Sequence, residues 1–458
     1  MPLRIRTDVW SISLATEAAA TTEAWHPVLD TYARGVTLMR DLDAELSPES
    51  WLWAANTHGV PFGTPLRPTW STCEHASIFF LPWHRAYLTW FEDTIRALTG
   101  EPDWALPYWD YSDPDDATTR DLPPEFLVPE RTVDGVLEAN PLFDPSRSTF
   151  PLPAEDVDIV RALSERSFVR PFPRAGFGGV DLDGRFGLVE SLPHNFIHVD
   201  LAGLMESPAT AGRDPIFWLH HCNIDRLWEI WRFLPGSLPL DVQSGIPAGV
   251  LMDWRSAQFT FGGLDGPVYD VAQCEQPDLP PLEYSYDTLE LPPVLDAAIA
   301  DARAVQPGGP MGLGEEPLPE VWEPVGASGA TRSGETVAVE LERPMGLDEV
   351  SPDAGLIIEL AGCRAVRPHA VYEVEVAVPG GAWHRAGHFA TFGLAGTPDA
   401  EERSFLVDVS EAVPALIEDG WTRGDLQVRA VPAPDRPDAA DAGRELVIGQ
   451  IVVFAQRT

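Results

Sequence analysis

DPIFWLHHCNIDRLWEIWRFL, residues 214–234, is the stretch that decides how this chain folds. Its apolar residues recur at helical spacing, Asp214 can accept from the first free backbone N–H groups, and Pro215 suits the first helical position. Pro235-Gly236 stops it. The pattern therefore predicts a helix that carries His221 and, four residues on, Asp225. Upstream, His194 and His198 are also four apart, which on a helix puts both imidazoles on one face. Two further segments read as helices: EAWHPVLDTYARGVTLMRDL (23–42), and ASIFFLPWHRAYLTWFEDTIRAL (76–98) with Pro82 in the first turn.

Past residue 236 the pattern changes. Residues 236–290 are rich in Pro, Gly and Asp, and QPGGPMGLGEEPLPEVWEPVGASGATRSG (306–334) has the composition of a linker. Seven short β-branched or aromatic runs follow: 336–342, 355–360, 371–378, 388–394, 404–409, 425–431 and 446–454. They predict a β-sandwich. The expected organisation is a mainly helical catalytic domain at 1–290, a linker at 291–334 and an all-β domain at 335–458.

The chain has 458 residues, 44% of them hydrophobic and 22% charged, with a formal net charge of −40. All 31 basic residues are Arg; Lys does not occur. Such a surface repels phosphate backbones, which disfavours nucleic acid and anionic membranes as partners. No run reaches the ~18 apolar residues of a membrane span. No signal peptide is seen, so the cytoplasm is the default expectation, with export by a helper protein compatible with it. Cys73, Cys222, Cys274 and Cys363 form no CxxC pair, and reduced thiols are expected.

The residues that carry chemistry are histidines. There are 11, and six fall into two triplets: His58, His75 and His84, then His194, His198 and His221. Neutral imidazole is the favoured ligand of copper, nickel and zinc. A single buried His is usually a hydrogen-bonded core residue, but two three-His sets in one helical domain suggest two metal ions facing a shared space. A bundle with inward-facing ligands, here a four-helix bundle, suits such a site. Structural zinc is disfavoured, because sites of that kind prefer four ligands with thiolates.

HASIFFLPWHRAYLTWFE (75–92) and HNFIHVDLAGLM…RDPIFWLHHCNIDRLW (194–228) closely resemble the two copper-binding signatures of the tyrosinase and polyphenol oxidase family, the type 3 dicopper enzymes. The resemblance extends over roughly residues 1–290. It includes Phe177-Gly178-Gly179, the run Glu190 to Asn195, and Tyr284-Ser285-Tyr286, an aromatic-x-Tyr pair near which the family's N-terminal Arg, here Arg6, is expected to pack. It implies that His58, His75 and His84 hold one copper and His194, His198 and His221 the other. His220 offers a second candidate; the position four residues before the Asp selects His221. Cys73 matches the Cys that forms a thioether with the ligand His75 in fungal and plant members. Phe217 and Asp225 are expected to back the ligands.

The implied cofactors are two copper ions with O2 as co-substrate, and the implied partners are small phenols or catechols, with a copper-delivery protein as a further candidate. The implied reaction is oxidation of o-diphenols to o-quinones, with ortho-hydroxylation of monophenols if a base takes the phenolic proton. Glu190 and Asn195 are the candidates for that step. Oxidation of o-aminophenols is the alternative, and O2 carriage as in haemocyanins is a reading from another class. Pro208, six residues before Asp214, stands where some plant catechol oxidases place a bulky Phe. The C-terminal domain resembles, more weakly, the β-sandwich that covers the copper site in latent plant enzymes, which makes the 306–334 stretch the expected cleavage region. His369, His384 and His388 in that domain are expected to be surface or packing residues.

Overall fold

The computed structural model describes residues 3–43, 46–182, 184–304, 321–341, 355–365, 370–394, 402–421, 425–434 and 446–456. The first half is helical. Five helices position the site: α1 (Pro27–Asp41), α2 (Trp51–His58), α3 (Phe80–Thr99), α4 (Asn195–Leu201) and α5 (Pro215–Phe233). Each begins and ends for a local reason. Asp214 accepts from Ile216 N–H at the start of α5, and Ser50 from Trp53 N–H at the start of α2. At the end of α3, Gly100 takes a left-handed φ of 76° and donates its N–H to the Arg96 carbonyl.

α3 packs against both α1 and α5. Nearly every side chain of α5 is buried, because the helix runs through the middle of the first core rather than over its surface. Aromatic rings fill the spaces between helices. Phe91 of α3 stacks on Trp218 of α5, with centroids 3.6 Å apart.

A charged knot ties the chain's beginning to these helices. Strand β1 (Arg4–Arg6) pairs in parallel with β2 (Tyr284–Tyr286). Buried Arg6 grips Glu92 of α3 with two N–H groups at 3.0 Å and donates to Asp225 of α5 at 2.9 Å. Its guanidinium lies 3.6 Å from the centre of the Tyr284 ring.

The second half is strand-rich. Among the described residues, one sheet runs β4 (Thr331–Arg332), β11 (Leu446–Ile448), β6 (Leu356–Ala365), β12 (Gln450–Gln456), β3 (Trp322–Ala327), with β9 (Arg403–Asp408) also on β6. The other runs β5 (Val337–Val339), β10 (Leu426–Pro432), β7 (Val371–Ala377), β8 (His384–Ala390). Every pairing in both is antiparallel. Alternate side chains, such as Val374 and Val376 of β7 and Leu426 and Val428 of β10, share a second core. Ala76 and Phe186 of the helical half belong to that core too.

The stretch 291–334 differs from the linker expected from its composition. It contains a helix, Pro293–Ala304, anchored by Arg303 to the Leu163, Glu165 and Pro235 carbonyls, and the strands β3 and β4. β3 joins the edge of a sheet by antiparallel pairing with β12, with Val325 buried, despite the surrounding Pro and Gly. Residues 305–320 of that stretch and His369 lie outside the described residues. No helix among the described residues is long and apolar enough to cross a membrane.

Candidate dicopper site

The six expected ligands come from separate elements and meet. His58 is the last residue of α2, His75 lies in the loop before α3, and His84 is on α3. His194 leads into α4, His198 is on it, and His221 is on α5. Their rings cluster: centroids are 5.1 Å apart for His58 and His75, 5.4 Å for His75 and His84, 4.6 Å for His194 and His198, and 4.9 Å for His194 and His221. The two sets touch. His84 stacks on His221 at 4.3 Å, and His75 is 5.6 Å from His194.

Backbone carbonyls set how four of these rings point, or a side-chain amide does. Nδ1 of His84 faces the Phe80 carbonyl at 2.8 Å, Nδ1 of His58 that of Pro208 at 2.8 Å, and Nδ1 of His198 that of Met205 at 2.8 Å. Nδ1 of His194 meets Asn195 Oδ1 at 2.9 Å. Each contact fixes the N–H on Nδ1 and leaves Nε2 as a lone-pair donor aimed inward. Nε2 of His58 and of His194 are buried without a hydrogen-bond partner, and Nε2 of His198 and His221 lie 3.3 Å apart. Buried, unpartnered ring nitrogens that converge are costly unless a cation takes their lone pairs. The residues present therefore fit two copper ions: in each group the donor atoms lie within 4.8 Å of one another.

Burial also keeps the rings neutral. It pushes His58 down to about 4 and His194 to about 3, against the hydrogen bonds from Pro208 and Asn195, and holds His75, His84, His198 and His221 well below the usual imidazole range. Neutral imidazole is the form that ligates.

Gly59 makes one of these contacts possible. A Cβ there would stand 2.4 Å from the Pro208 carbonyl oxygen, the atom that orients His58. Pro208 thus acts through its backbone beside the first set. Phe217 has ring centroids 4.8 Å from His58 and 4.2 Å from His221.

Asp225 differs from its expected role behind a ligand. Its carboxylate accepts from Arg85 at 2.5 Å, Arg6 at 2.9 Å, and the Tyr284 and Tyr286 hydroxyls at 2.5 Å each. Burial raises its pKa, but Arg85 and Arg6 outweigh that and hold it below the usual range. Nδ1 of His221 has no hydrogen-bond partner. The four-residue spacing put Asp225 on the same helix, but two arginines and two tyrosines take up its oxygens.

The remaining residues fall as follows. Cys73 Sγ lies 3.4 Å from His75 Nδ1 and 3.8 Å from its Nε2, and 3.3 Å from His84 Nε2. Glu190 accepts the Ala76 N–H on both oxygens, at 2.9 and 3.1 Å, and burial pushes its carboxyl well above the usual range. It pins the loop beside His75. Asn195 holds His194. His220 contacts Tyr111, Nδ1 to hydroxyl at 3.2 Å, yet its Nε2 is buried without a partner and it lies in one group with His194, His198 and His221.

One residue at the site was not found from the sequence. Phe392 of the strand-rich half lies flat on His198, 3.9 Å centroid to centroid and 10° from parallel, with His194 at 5.5 Å and His75 at 5.6 Å. A single Phe in a run read as a strand gave no signal that it reaches the histidines. His388, on the same strand edge, faces Asp156 at 3.6 Å and Phe196 at 4.8 Å, and Arg385 donates to Glu155 at 2.9 Å. His384 pairs with Asp419 at 2.8 Å.

Comparison with known proteins agrees with this arrangement. The common central domain of tyrosinase matches residues 48–158 and 162–234. Those residues carry the tyrosinase central domain, and the relatives that match are tyrosinases and polyphenol oxidases, a family of oxidoreductases that bind a dicopper centre. Among its relatives, a tyrosinase of Hahella sp. (strain CCB-MM4) is 27% identical over 93% of this chain and 97% of that protein. The chloroplastic polyphenol oxidase of Vitis vinifera is 30% identical over 48% of this chain, which spans 38% of that relative. In fold, the chain is similar to a latent tyrosinase from apple (TM-score 0.59, 20% identity, covering 99% of this chain and 98% of that one). It is also similar to a tyrosinase from Burkholderia thailandensis (TM-score 0.53, 17% identity, covering 97% and 99%).

Proposed function

We propose that this chain oxidises o-diphenols to o-quinones with O2. The observation that carries the reading is the convergence of two three-imidazole sets, with Nε2 of His58 and of His194 buried and unpartnered. Bound there, the copper pair would supply a two-electron oxidant drawn from O2. The protein's share is to keep six rings neutral and aimed, to surround them with apolar rings, and to admit a flat phenol beside His198. Ortho-hydroxylation of monophenols needs a base in addition. Glu190 and Asn195 are the candidates, yet each is engaged, one by Ala76 N–H and the other by His194. The diphenol reaction is therefore the better supported of the two.

Cys73 Sγ lies against the His75 ring, which supports the thioether; the bond would lock that ring. Phe392 occupies the space over His198 that a phenol ring would use, which supports a C-terminal half that shields the site. The test is oxygen uptake by copper-loaded protein, with 4-methylcatechol as substrate and tyramine as comparison. Uptake with the catechol is expected. Copper-loaded protein, with Phe392 removed, that takes up no oxygen with any catechol would overturn the reading.

A further inference from the structure

Every one of the 31 basic residues is arginine. At buried positions the structure requires it. Arg6 meets both oxygens of Glu92, Arg85 bridges Asp225 and Glu229, and Arg147 meets both oxygens of Asp214. A lysine ammonium cannot reproduce that planar fork. Exposed positions make no such demand. Arg34 pairs with Glu101 and Arg364 with Glu402 in open solvent, and Arg161 reaches Asp408 only at 3.7 Å. Such pairs contribute about 0–1 kcal/mol, and lysine serves them as well. Arginine fills them all the same.

The thiols follow the same rule. Cys222, Cys274 and Cys363 are buried, and Cys73 is turned into the histidine cluster against His75 and His84. Among the described residues, the exposed imidazole is that of His26, whose Nδ1 accepts from Val28 N–H.

Amines and thiols are the groups that attack an o-quinone. The nucleophile's lone pair forms a C–N or C–S bond to a ring carbon, its proton ends on one quinone oxygen, the hydrogen of that ring carbon moves to the other, and the ring becomes a substituted catechol. The quinone is reduced as the bond forms, so no other reactant is required. The reactive form is the free base. At neutral pH roughly one lysine in ~10³ is unprotonated, against about one arginine in ~10⁵ or fewer.

We propose that this surface is built without accessible amine or thiol side chains, so that the o-quinone leaves without alkylating or cross-linking the protein that made it. The proposal rests on the reaction inferred above.

The test supplies the quinone, so it does not depend on the protein's own activity. Copper-loaded protein and a variant carrying Arg34→Lys, Arg161→Lys and Arg364→Lys are treated with 4-methyl-1,2-benzoquinone made chemically beforehand. Intact mass and denaturing gels read adducts and cross-links, and N-acetyl-lysine in the same solution reports that the quinone is reactive. The variant is expected to collect adducts about tenfold or more faster than the unsubstituted chain, in keeping with the free-base ratio, and to cross-link. Equal modification of the two proteins overturns the proposal. So does a variant that stays unmodified while N-acetyl-lysine is consumed. Absence of oxygen uptake with catechols would instead remove the proposed reaction and leave this comparison readable.

Discussion

The ring of Phe392 lies parallel to the ring of His198, with 3.9 Å between centroids, although 194 positions of sequence separate them. A stacked aromatic pair contributes about 0.5–1.5 kcal/mol beyond its burial. Any flat substrate seeking the same face must displace it. Phe392→Ala in the full chain is therefore expected to raise the initial rate with 4-methylcatechol on the order of tenfold, with unchanged copper content. An unchanged rate would show that the ring does not compete with substrate.

Gly59 lets the Pro208 carbonyl reach His58 Nδ1. In Gly59→Ala that loop must move by several tenths of an ångström, and His58 loses the contact that fixes its tautomer. Losing such an outer contact typically costs 10–100-fold in metal affinity, so a drop of about that size is expected at the first copper. Copper titration followed by elemental analysis measures it, with the second site filling as before.

Cys73 Sγ lies against His75. Formation of the thioether removes one hydrogen from sulfur and one from a ring carbon, and O2 would take up the two electrons and two protons. Mass spectrometry of copper-loaded protein is expected to find the peptide that carries both residues lighter by two hydrogens. Cys73→Ser should abolish the link while leaving two coppers bound.

Metal-free protein should lose stability in acid for a reason that can be signed. His58 and His194 have folded-state values of about 4 and about 3, below the ~6.5 of an unfolded chain. Below pH ~6.5 the unfolded chain binds protons that the folded one does not, so stability falls as pH drops through that window. For His58 alone the full effect is on the order of 3 kcal/mol. Urea unfolding of copper-free protein between pH 7 and 4 checks it; a midpoint independent of pH would contradict it.

Asp225 is encircled by Arg6, Arg85, Tyr284 and Tyr286. Arg6 keeps Glu92 and Arg85 keeps Glu229 in Asp225→Ala, but one buried positive charge is left uncompensated, and a loss of about 3–5 kcal/mol is expected in denaturant unfolding.

Much of this was legible in the residues themselves. Residues 214–234 read as one capped helix and form one, from Pro215 to Phe233. The His spacings announced a two-metal cluster because imidazoles on separate helices need a common reason to be buried together. The strand pattern after residue 335 was visible because alternation survives without knowledge of partners. What stayed hidden depends on where distant backbone goes. The Phe80, Pro208 and Met205 carbonyls that aim the ligands leave no mark in sequence, since any residue carries a carbonyl. Asp225 was misjudged because helical spacing gives the face of a helix but not the four groups that close on a carboxylate. Trp322–Ala327 was hidden by its Pro and Gly neighbours until β12 offered it an edge.

Ala76 and Phe186, from the helical half, are packed inside the core shared by the two sheets. A protease that cuts between Ala304 and Trp322 would therefore sever the covalent tie and leave the two pieces gripping each other. Unmasking the coppers then takes a second event that pries them apart, such as detergent or further trimming, and a nicked sample should still migrate as one particle until it is denatured.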